Sequence, residues 1–339
     1  MTKVDIISGF LGAGKTTFIK KLLSDVWAGE KLVLIENEFG EIGIDGGFLK
    51  DAGIEITEMN SGCICCTLVG DFSKALVKVL DEYHPDRVII EASGVGKLSD
   101  VARAIEAVEK DADIEIDGRI TVVDGKKAKM YMKNFGEFFK DQVEHASTIV
   151  VSRTQMMTDE KVEECVHTLR EENAEATIIS TPWDELGKEA ISHALTKGAE
   201  IESLFEDHED HDHDHDHCDH DHHDHDHHDH DHDCCCGHDH DHHHHHHADD
   251  VFTSWGKETV HKYTEEELDY LLKALSETTS YGTILRSKGI IQMTDGSWKQ
   301  FDLVPEEYEV REGQPDYTGR ICVIGTDLKE DDLLKLFHV

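Results

Sequence analysis

Six near-continuous apolar runs punctuate the first 180 residues: "KVDIIS" (3–8), "KLVLIE" (31–36), "DRVIIEA" (86–92), "GRITVVD" (118–124), "ASTIVVS" (146–152) and the weaker "EATIIS" (175–180). Unbroken apolar runs of this length predict strands buried on both faces, as in a parallel sheet covered by helices. Between them the apolar positions change to helical spacing. Phe18, Leu22 and Val26 lie on one stripe of "KTTFIKKLLSDVW"; Leu76, Val79 and Leu80 form a second, and Val162, Val166 and Leu169 a third. Alternating β and α segments predict an α/β fold with a doubly wound, mainly parallel sheet over residues 1–200.

A different pattern begins at residue 251. "TEEELDYLLKALSE" (264–277) opens on Thr264 and Glu267, the spacing of a capping box, ahead of Leu268, Leu271, Leu272 and Leu275. "GTILRSKGIIQM" (282–293), "SWKQFDLV" (297–304) and "GRICVIG" (319–325) predict strands, with Asp295-Gly296 as the turn between the first two. "KEDDLLKLF" (329–337) predicts a closing helix. Residues 251–339 therefore form a small α+β domain.

The stretch between the two, residues 207–250, has no periodicity at all. It holds 21 of the 27 histidines, 17 acidic residues and 4 of the 9 cysteines, without a single Lys or Arg. Its carboxylates repel and it has almost no apolar side chains to offset ordering entropy, so it is expected to be a disordered linker. Imidazole binds Zn²⁺, Ni²⁺, Co²⁺ and Cu²⁺, and Cys218 and "DCCCG" (233–237) add thiolates, so this linker is expected to bind several transition-metal ions. A merely solvating acidic linker would gain nothing from histidine.

The formal net charge is −40, and acidic residues exceed basic ones outside the His/Asp segment too. Such a surface repels nucleic acid and anionic membranes, which excludes both as expected partners. The apolar start "VDIISGFLGAG" runs into glycines without a cleavage site, and no apolar stretch approaches a membrane span. A cytoplasmic, reducing compartment is expected, in which clustered cysteines read as metal-binding or redox-active before structural disulfides. Cys165 and Cys322, each isolated, read as buried filler.

"GFLGAGKTT" (9–17) fits the G-x-x-x-x-G-K-[ST] pattern between a predicted strand and a predicted helix. Gly9, Gly12, Ala13 and Gly14 would turn backbone N–H groups onto phosphate oxygens, and the helix N-terminus adds its dipole. Lys15 is expected on the outer phosphates, Thr16 on Mg²⁺ and Thr17 beside them. "VIIEASG" (88–94) ends a predicted strand on Glu91, placed to face the same Mg²⁺, and Gly94 would aim a backbone N–H at a γ-phosphate. The fold becomes that of a P-loop NTPase.

With "IENEFGEIGID" (35–45), "GCICC" (62–66) and "EASG" (91–94) following the P-loop in order, the chain resembles the CobW-type GTPases, relatives of the nickel-insertion GTPases of urease and hydrogenase maturation. "LRSKGII" (285–291) and "RICVIGTDL" (320–328) extend the resemblance into the C-terminal domain. The resemblance implies GTP hydrolysis, with Lys15, Thr16 and Glu91 as catalytic machinery, and a transition metal held by Cys63, Cys65 and Cys66 with Glu36 and Glu41 as further ligands. Zn²⁺ leads, with Co²⁺ and Ni²⁺ as alternatives, and a client metalloprotein is the implied recipient; self-association is left open. Thiolates suit a borderline ion, and oxygen ligands suit Mg²⁺. A redox couple is the competing reading, but adjacent cysteines such as Cys65 and Cys66 fit disulfide geometry poorly.

Two departures from the family follow. Where Ras-like GTPases read guanine with N/T-K-x-D, this chain has "SRTQ" (152–155), so Ser152, Arg153 and Gln155 are expected at the base. Gln155 offers one carbonyl in place of a carboxylate, which predicts relaxed preference for GTP; Trp183 is a further candidate for stacking on the base. The chain also begins close to its P-loop, without the N-terminal docking extension of some eukaryotic zinc members. The leading expectation is a GTPase metallochaperone. A metal-storage protein with secondary NTPase activity is the alternative, and a small-molecule kinase has no acceptor-site motif to support it.

Overall fold

The computed structural model describes residues 1–37, 55–59, 69–109, 112–196, 248–316 and 318–339. Glu41, Cys63, Cys65, Cys66 and almost all of the His/Asp segment lie outside the described residues.

All six apolar runs of the first domain are strands: β1 (Thr2–Ser8), β2 (Leu32–Asn37), β4 (Arg87–Glu91), β5 (Ile114–Asp124), β6 (Thr148–Ser152) and β7 (Thr177–Ile179). A seventh, β3 (Glu55–Met59), was not legible, because "EITEM" is short and carries two carboxylates. The sheet order is β3-β2-β4-β1-β5-β6-β7, and every neighbouring pair is parallel. Val4, Ile6, Ile7, Val88, Ile89 and Ile90 are wholly buried, as strands covered on both faces require. The helices are α1 (Lys15–Lys21), α2 (Val69–Tyr83), α3 (Leu98–Glu109), α4 (Ala128–Asn134), α5 (Gly136–Glu144), α6 (Asp159–Glu172) and a helical stretch, α7, over residues 188–196. This is the doubly wound P-loop architecture expected.

The helix after the P-loop departs from a single α-helix. Leu22–Val26 widen into a π turn, in which the Trp27 N–H bonds to the Leu22 carbonyl at 2.8 Å. Trp27 is thereby buried with its ring 4.6 Å from the Arg87 guanidinium. Arg87 also pairs with Asp5, Glu30 and Asp117, knitting β1, β4 and β5 together at the sheet's lower end. Burial pushes the Asp5 carboxyl up to about 7, against the pull of the Arg87 charge.

The C-terminal part begins with the short helix α8 (Ala248–Val251) and continues through β8 (Thr253–Thr259), β9 (Lys262–Tyr263), α9 (Glu265–Glu277), β10 (Thr283–Met293), β11 (Trp298–Val304), β12 (Glu307–Glu312), β13 (Gly319–Thr326) and α10 (Glu330–Phe337). Its sheet runs β12-β11-β10-β13-β8 with antiparallel neighbours, and β9 joins β10 in parallel. The capping box is present: Thr264 Oγ accepts from the Glu267 N–H, and the Glu267 carboxylate accepts from the Thr264 N–H at 2.8 Å.

Side chains on β13 alternate between two cores. Ile321 and Val323 pack under α9 and α10 with Leu271, Leu275, Leu333 and Phe337. Cys322 and Ile324 face the other way and belong to the apolar cluster of the P-loop domain. Phe252 completes that junction. It sits 5.0 Å from Phe138, 5.7 Å from Phe135 and 6.2 Å from Phe10, the last being a P-loop residue. Burying one such ring contributes about 1.5–3 kcal/mol. Both faces of the second sheet are thus covered, one by its own helices and one by the first domain. Among the described residues no helix is long and apolar enough to cross a membrane.

Candidate functional site

The loop between β1 and α1 has the backbone its glycines allow. Gly9, Gly12 and Gly14 have φ of 138°, 69° and 102°, where other residues are strained. A Cβ on Gly9 would stand 2.2 Å from the Val122 carbonyl of β5, so the loop can lie on the sheet only without one. Lys15 is buried, and its ammonium is folded back onto the Gly9 and Phe10 carbonyls at 2.9 and 3.5 Å. Thr16 Oγ donates to Glu91 Oε1 at 3.1 Å, which brings together the two side chains expected to share Mg²⁺. Their hydroxyl and carboxylate oxygens are the hard donors that this ion takes.

Gly94 follows Glu91 directly against the P-loop: a Cβ there would meet Leu11 N at 3.0 Å and Leu11 Cδ2 at 2.7 Å. Its glycine is required by that approach, and its φ is not in the left-handed region. Ala13 is buried, and its carbonyl accepts from Ser152 Oγ at 2.7 Å. Ser152 therefore braces the P-loop from the end of β6. Thr17 is exposed on the rim of the cavity.

The cavity has a volume of about 250 Å³, and the first domain supplies only part of its wall. Arg286, Asp302, Val304, Glu307 and Arg311, from β10, β11 and β12, face Lys15, Thr16 and Glu91 across it. Val304 presses on the P-loop so closely that a Cβ on Gly12 would be 2.3 Å from Val304 Cγ1. Lys127 Nζ donates to the Pro305 carbonyl at 2.8 Å. Arg153, in the left-handed region with φ of 63°, directs its guanidinium to Asp124 at 3.2 Å, to Glu307, and to the Gly12 carbonyl at 3.4 Å. Burial pushes the Asp124 carboxyl up while Arg153 and Lys127 hold it down, and burial lowers the Lys127 ammonium. Gln155 lies exposed in the 3₁₀ turn Thr154–Met156 and does not line the cavity. Trp183 packs on Phe18 at 5.4 Å and lies 3.5 Å from the Cβ position of Gly14.

Asp124, Lys127 and the charged residues of the second sheet were missed by sequence reading. The signal for the latter was faint: Arg286, Lys288 and Asp302 interrupt otherwise apolar strands at positions that a one-sided sheet would fill with apolar residues. Glu36, expected as a transition-metal ligand, is buried at the end of β2, in register with Glu91 on β4. Glu36 does not itself line the nucleotide cavity but stands one strand away from Glu91, which does; Glu41 and the three cysteines lie outside the described residues.

A P-loop at the centre of a parallel sheet, with a Thr–Glu pair at its helix end, defines a P-loop nucleotide-binding protein. Within that class the family is specific. The CobW/HypB/UreG nucleotide-binding domain matches residues 3–180 and the cobalamin synthesis protein CobW C-terminal domain matches residues 252–339. The chain belongs to the CobW/HypB/UreG family. It is 36% identical over 180 residues to a zinc chaperone CobW from Sinorhizobium sp, covering 45% of this chain and 51% of that protein. It is 34% identical over 160 residues to the zinc chaperone YeiR of Escherichia coli, covering 47% and 49%. The chain spans about half the length of these two relatives. Against zinc-regulated GTPase metalloprotein activator 1 of Schizosaccharomyces pombe the match is 26% over 327 residues, covering 91% and 76%.

Proposed function

We propose that the protein hydrolyses GTP and couples the hydrolysis to delivery of a transition metal, zinc first, to a client metalloprotein in the cytoplasm. The observation that carries this is the convergence of Lys15, the Thr16–Glu91 pair and Glu36 at one end of the central strands. A nucleotide site and a metal-ligand candidate there share adjacent backbone. Zinc as the cargo and GTP as the nucleotide are supported by the likeness to zinc chaperones and to a zinc-regulated GTPase.

Backbone N–H groups of Gly12–Thr17 cradle the phosphates, and Lys15 exchanges the Gly9 and Phe10 carbonyls for the outer phosphates when nucleotide arrives. Mg²⁺, held by Thr16 and Glu91, would neutralise charge developing on the phosphoryl oxygens. Gly94 presents its backbone beside Leu11, where the γ-phosphate would report its presence. Ser152 keeps the loop in place, and Arg153 and Gln155 lie on the side where the base would enter. Zinc is the cargo of Cys63, Cys65 and Cys66, completed by Glu36 or Glu41, and the His/Asp segment buffers further ions.

GTP turnover measured with and without zinc, on the full chain and on a deletion of residues 207–249, tests the reading. Lys15→Ala and Glu91→Gln should each lower turnover by about 10²-fold or more, and zinc should alter turnover in both chain lengths. Turnover indifferent to zinc and to both substitutions would leave a metal-storage protein.

A further inference from the structure

We infer that His261, Glu267 and His338 form a transition-metal site of their own, separate from the nucleotide site. Each offers one donor atom, and the three atoms lie within 4.8 Å of one another. They come from three places: the turn between β8 and β9, the first turn of α9, and the residue that caps α10. None of the three lines the nucleotide cavity.

Two imidazole nitrogens and one carboxylate oxygen are donors for Zn²⁺, Co²⁺ or Ni²⁺, whereas Mg²⁺ and Ca²⁺ take oxygen alone. Zinc bonds of about 2.0–2.1 Å in a tetrahedron place donors roughly 3.3 Å apart. His261 Nε2 already stands 3.9 Å from Glu267 Oε1. Closing the remaining gaps needs small shifts of the three side chains, of which His338 is the exposed one. His261 Nε2 is itself buried and has no hydrogen-bond partner among the described residues. A buried ring nitrogen left so is costly, and a cation between the three donors would satisfy it.

The ligands are held in place by their surroundings, as metal ligands are. Glu267 spends Oε2 on the Thr264 N–H and hydroxyl, at 2.8 and 3.0 Å, which leaves Oε1 on the His261 side. The His261 backbone N–H donates to Thr259 Oγ at 3.1 Å, and its ring stands edge-on to Tyr263 at 4.7 Å. Tyr263 OH in turn donates to the Phe337 carbonyl at 2.6 Å, which fixes the backbone immediately before His338. The His261 and His338 rings then face each other with centroids 4.6 Å apart. Three protein ligands leave a fourth position. Beside Glu267 and His338 opens a cavity of about 400 Å³, also lined by Tyr270, Tyr281, Asp332 and Lys335. A site with three protein donors and an open position exchanges its ion more readily than a closed four-ligand site. Occupancy would tie the end of α10 to the start of α9.

The test uses the full chain with free Zn²⁺ set by a chelator buffer. Histidines are modified with diethyl pyrocarbonate and read peptide by peptide, so that ions on the His/Asp segment do not interfere. Zinc should protect His261 and His338 together and slow amide exchange in Glu330–His338. Glu267→Gln keeps the capping box, since Gln also serves at that position. It should move the zinc midpoint up by about 10–100-fold or more, with protection at each histidine read against that variant's own zinc-free reactivity. Equal modification with and without zinc, or an unmoved midpoint in E267Q, would show a metal-free cluster of stacked imidazoles and overturn the inference. Neither readout depends on GTP, so its failure is separate from that of the proposed function.

Discussion

Glu36 on β2 and Glu91 on β4 are direct partners across two parallel strands. Their backbones are therefore about 4.8 Å apart, and in-register side chains leave the sheet on the same face. Glu91 holds the Thr16 hydroxyl, so a change at the nucleotide site is one strand away from Glu36.

Metal and nucleotide binding are expected to be linked through this pair. Zinc affinity measured in the apo, GTP-analogue and GDP states should differ by a factor of about 5–150, and zinc should shift GTP affinity by the same factor. Cys65→Ala and Cys66→Ala should abolish the linkage, and Glu36→Gln should weaken it. Thiolate ligation releases protons, so zinc affinity should rise with pH through the thiol range. Identical zinc affinities in all three states would sink the coupling.

Selectivity for guanine should be relaxed. Gln155 sits exposed three residues beyond Ser152, whose hydroxyl touches the P-loop, so its turn borders the site without a carboxylate for the guanine N–H groups. Calorimetry on the full chain should show a modest preference for GTP over ATP, widened by Gln155→Asp. A large preference in the unmodified protein would mean that another residue, Trp183 among them, reads the base.

Gly12→Ala should loosen the contact between the P-loop and the second sheet. The new methyl would overlap Val304 Cγ1, and the residue would be held at φ of 69°. Overpacking of this kind costs about 1–3 kcal/mol, read as a lower urea midpoint. Adding Val304→Ala should recover the steric part and leave the left-handed strain of roughly 1–2 kcal/mol. Strict additivity of the two substitutions would show that the contact is not made in solution.

Cys165 and Cys322 should resist alkylation in the native protein. They are 7% and 8% exposed, and burial pushes the Cys165 thiol up to about 11. At pH 7.5 its thiolate fraction is far below that of an ordinary thiol near 8.5. Maleimide labelling of metal-free protein should reach these two only after denaturant is added, and labelling at the rate of the other cysteines would contradict their burial.

The core strands were legible because a strand buried on both faces is apolar almost throughout, as "VDIIS", "RVIIE" and "TIVVS" are apart from the ion-paired Asp5 and Arg87 and the polar ends. The P-loop was legible because its function needs particular residue types at fixed spacing. The strand β12 was hidden for the opposite reason: "EYEVRE" is a charged edge, held by its ladder with β11 rather than by burial. The π turn after α1 left no mark in the apolar spacing, since Leu22 and Val26 suit a regular helix equally well.

The amino-acid sequence by itself determined the buried core strands and the main helices, their doubly wound arrangement and the chemistry of the phosphate site, because local spacing and apolar periodicity act over a few residues. Only the tertiary structure decided that the second sheet walls the nucleotide cavity, that Arg153 meets Glu307, and that His261, Glu267 and His338 converge. Those contacts join residues far apart in the chain, 154 positions in the case of Arg153 and Glu307 and 178 in that of Lys127 and Pro305. They depend on how apolar faces such as Phe252 and Ile324 find a partner, and hydrophobic burial is non-directional, so no short stretch of sequence encodes which surfaces meet.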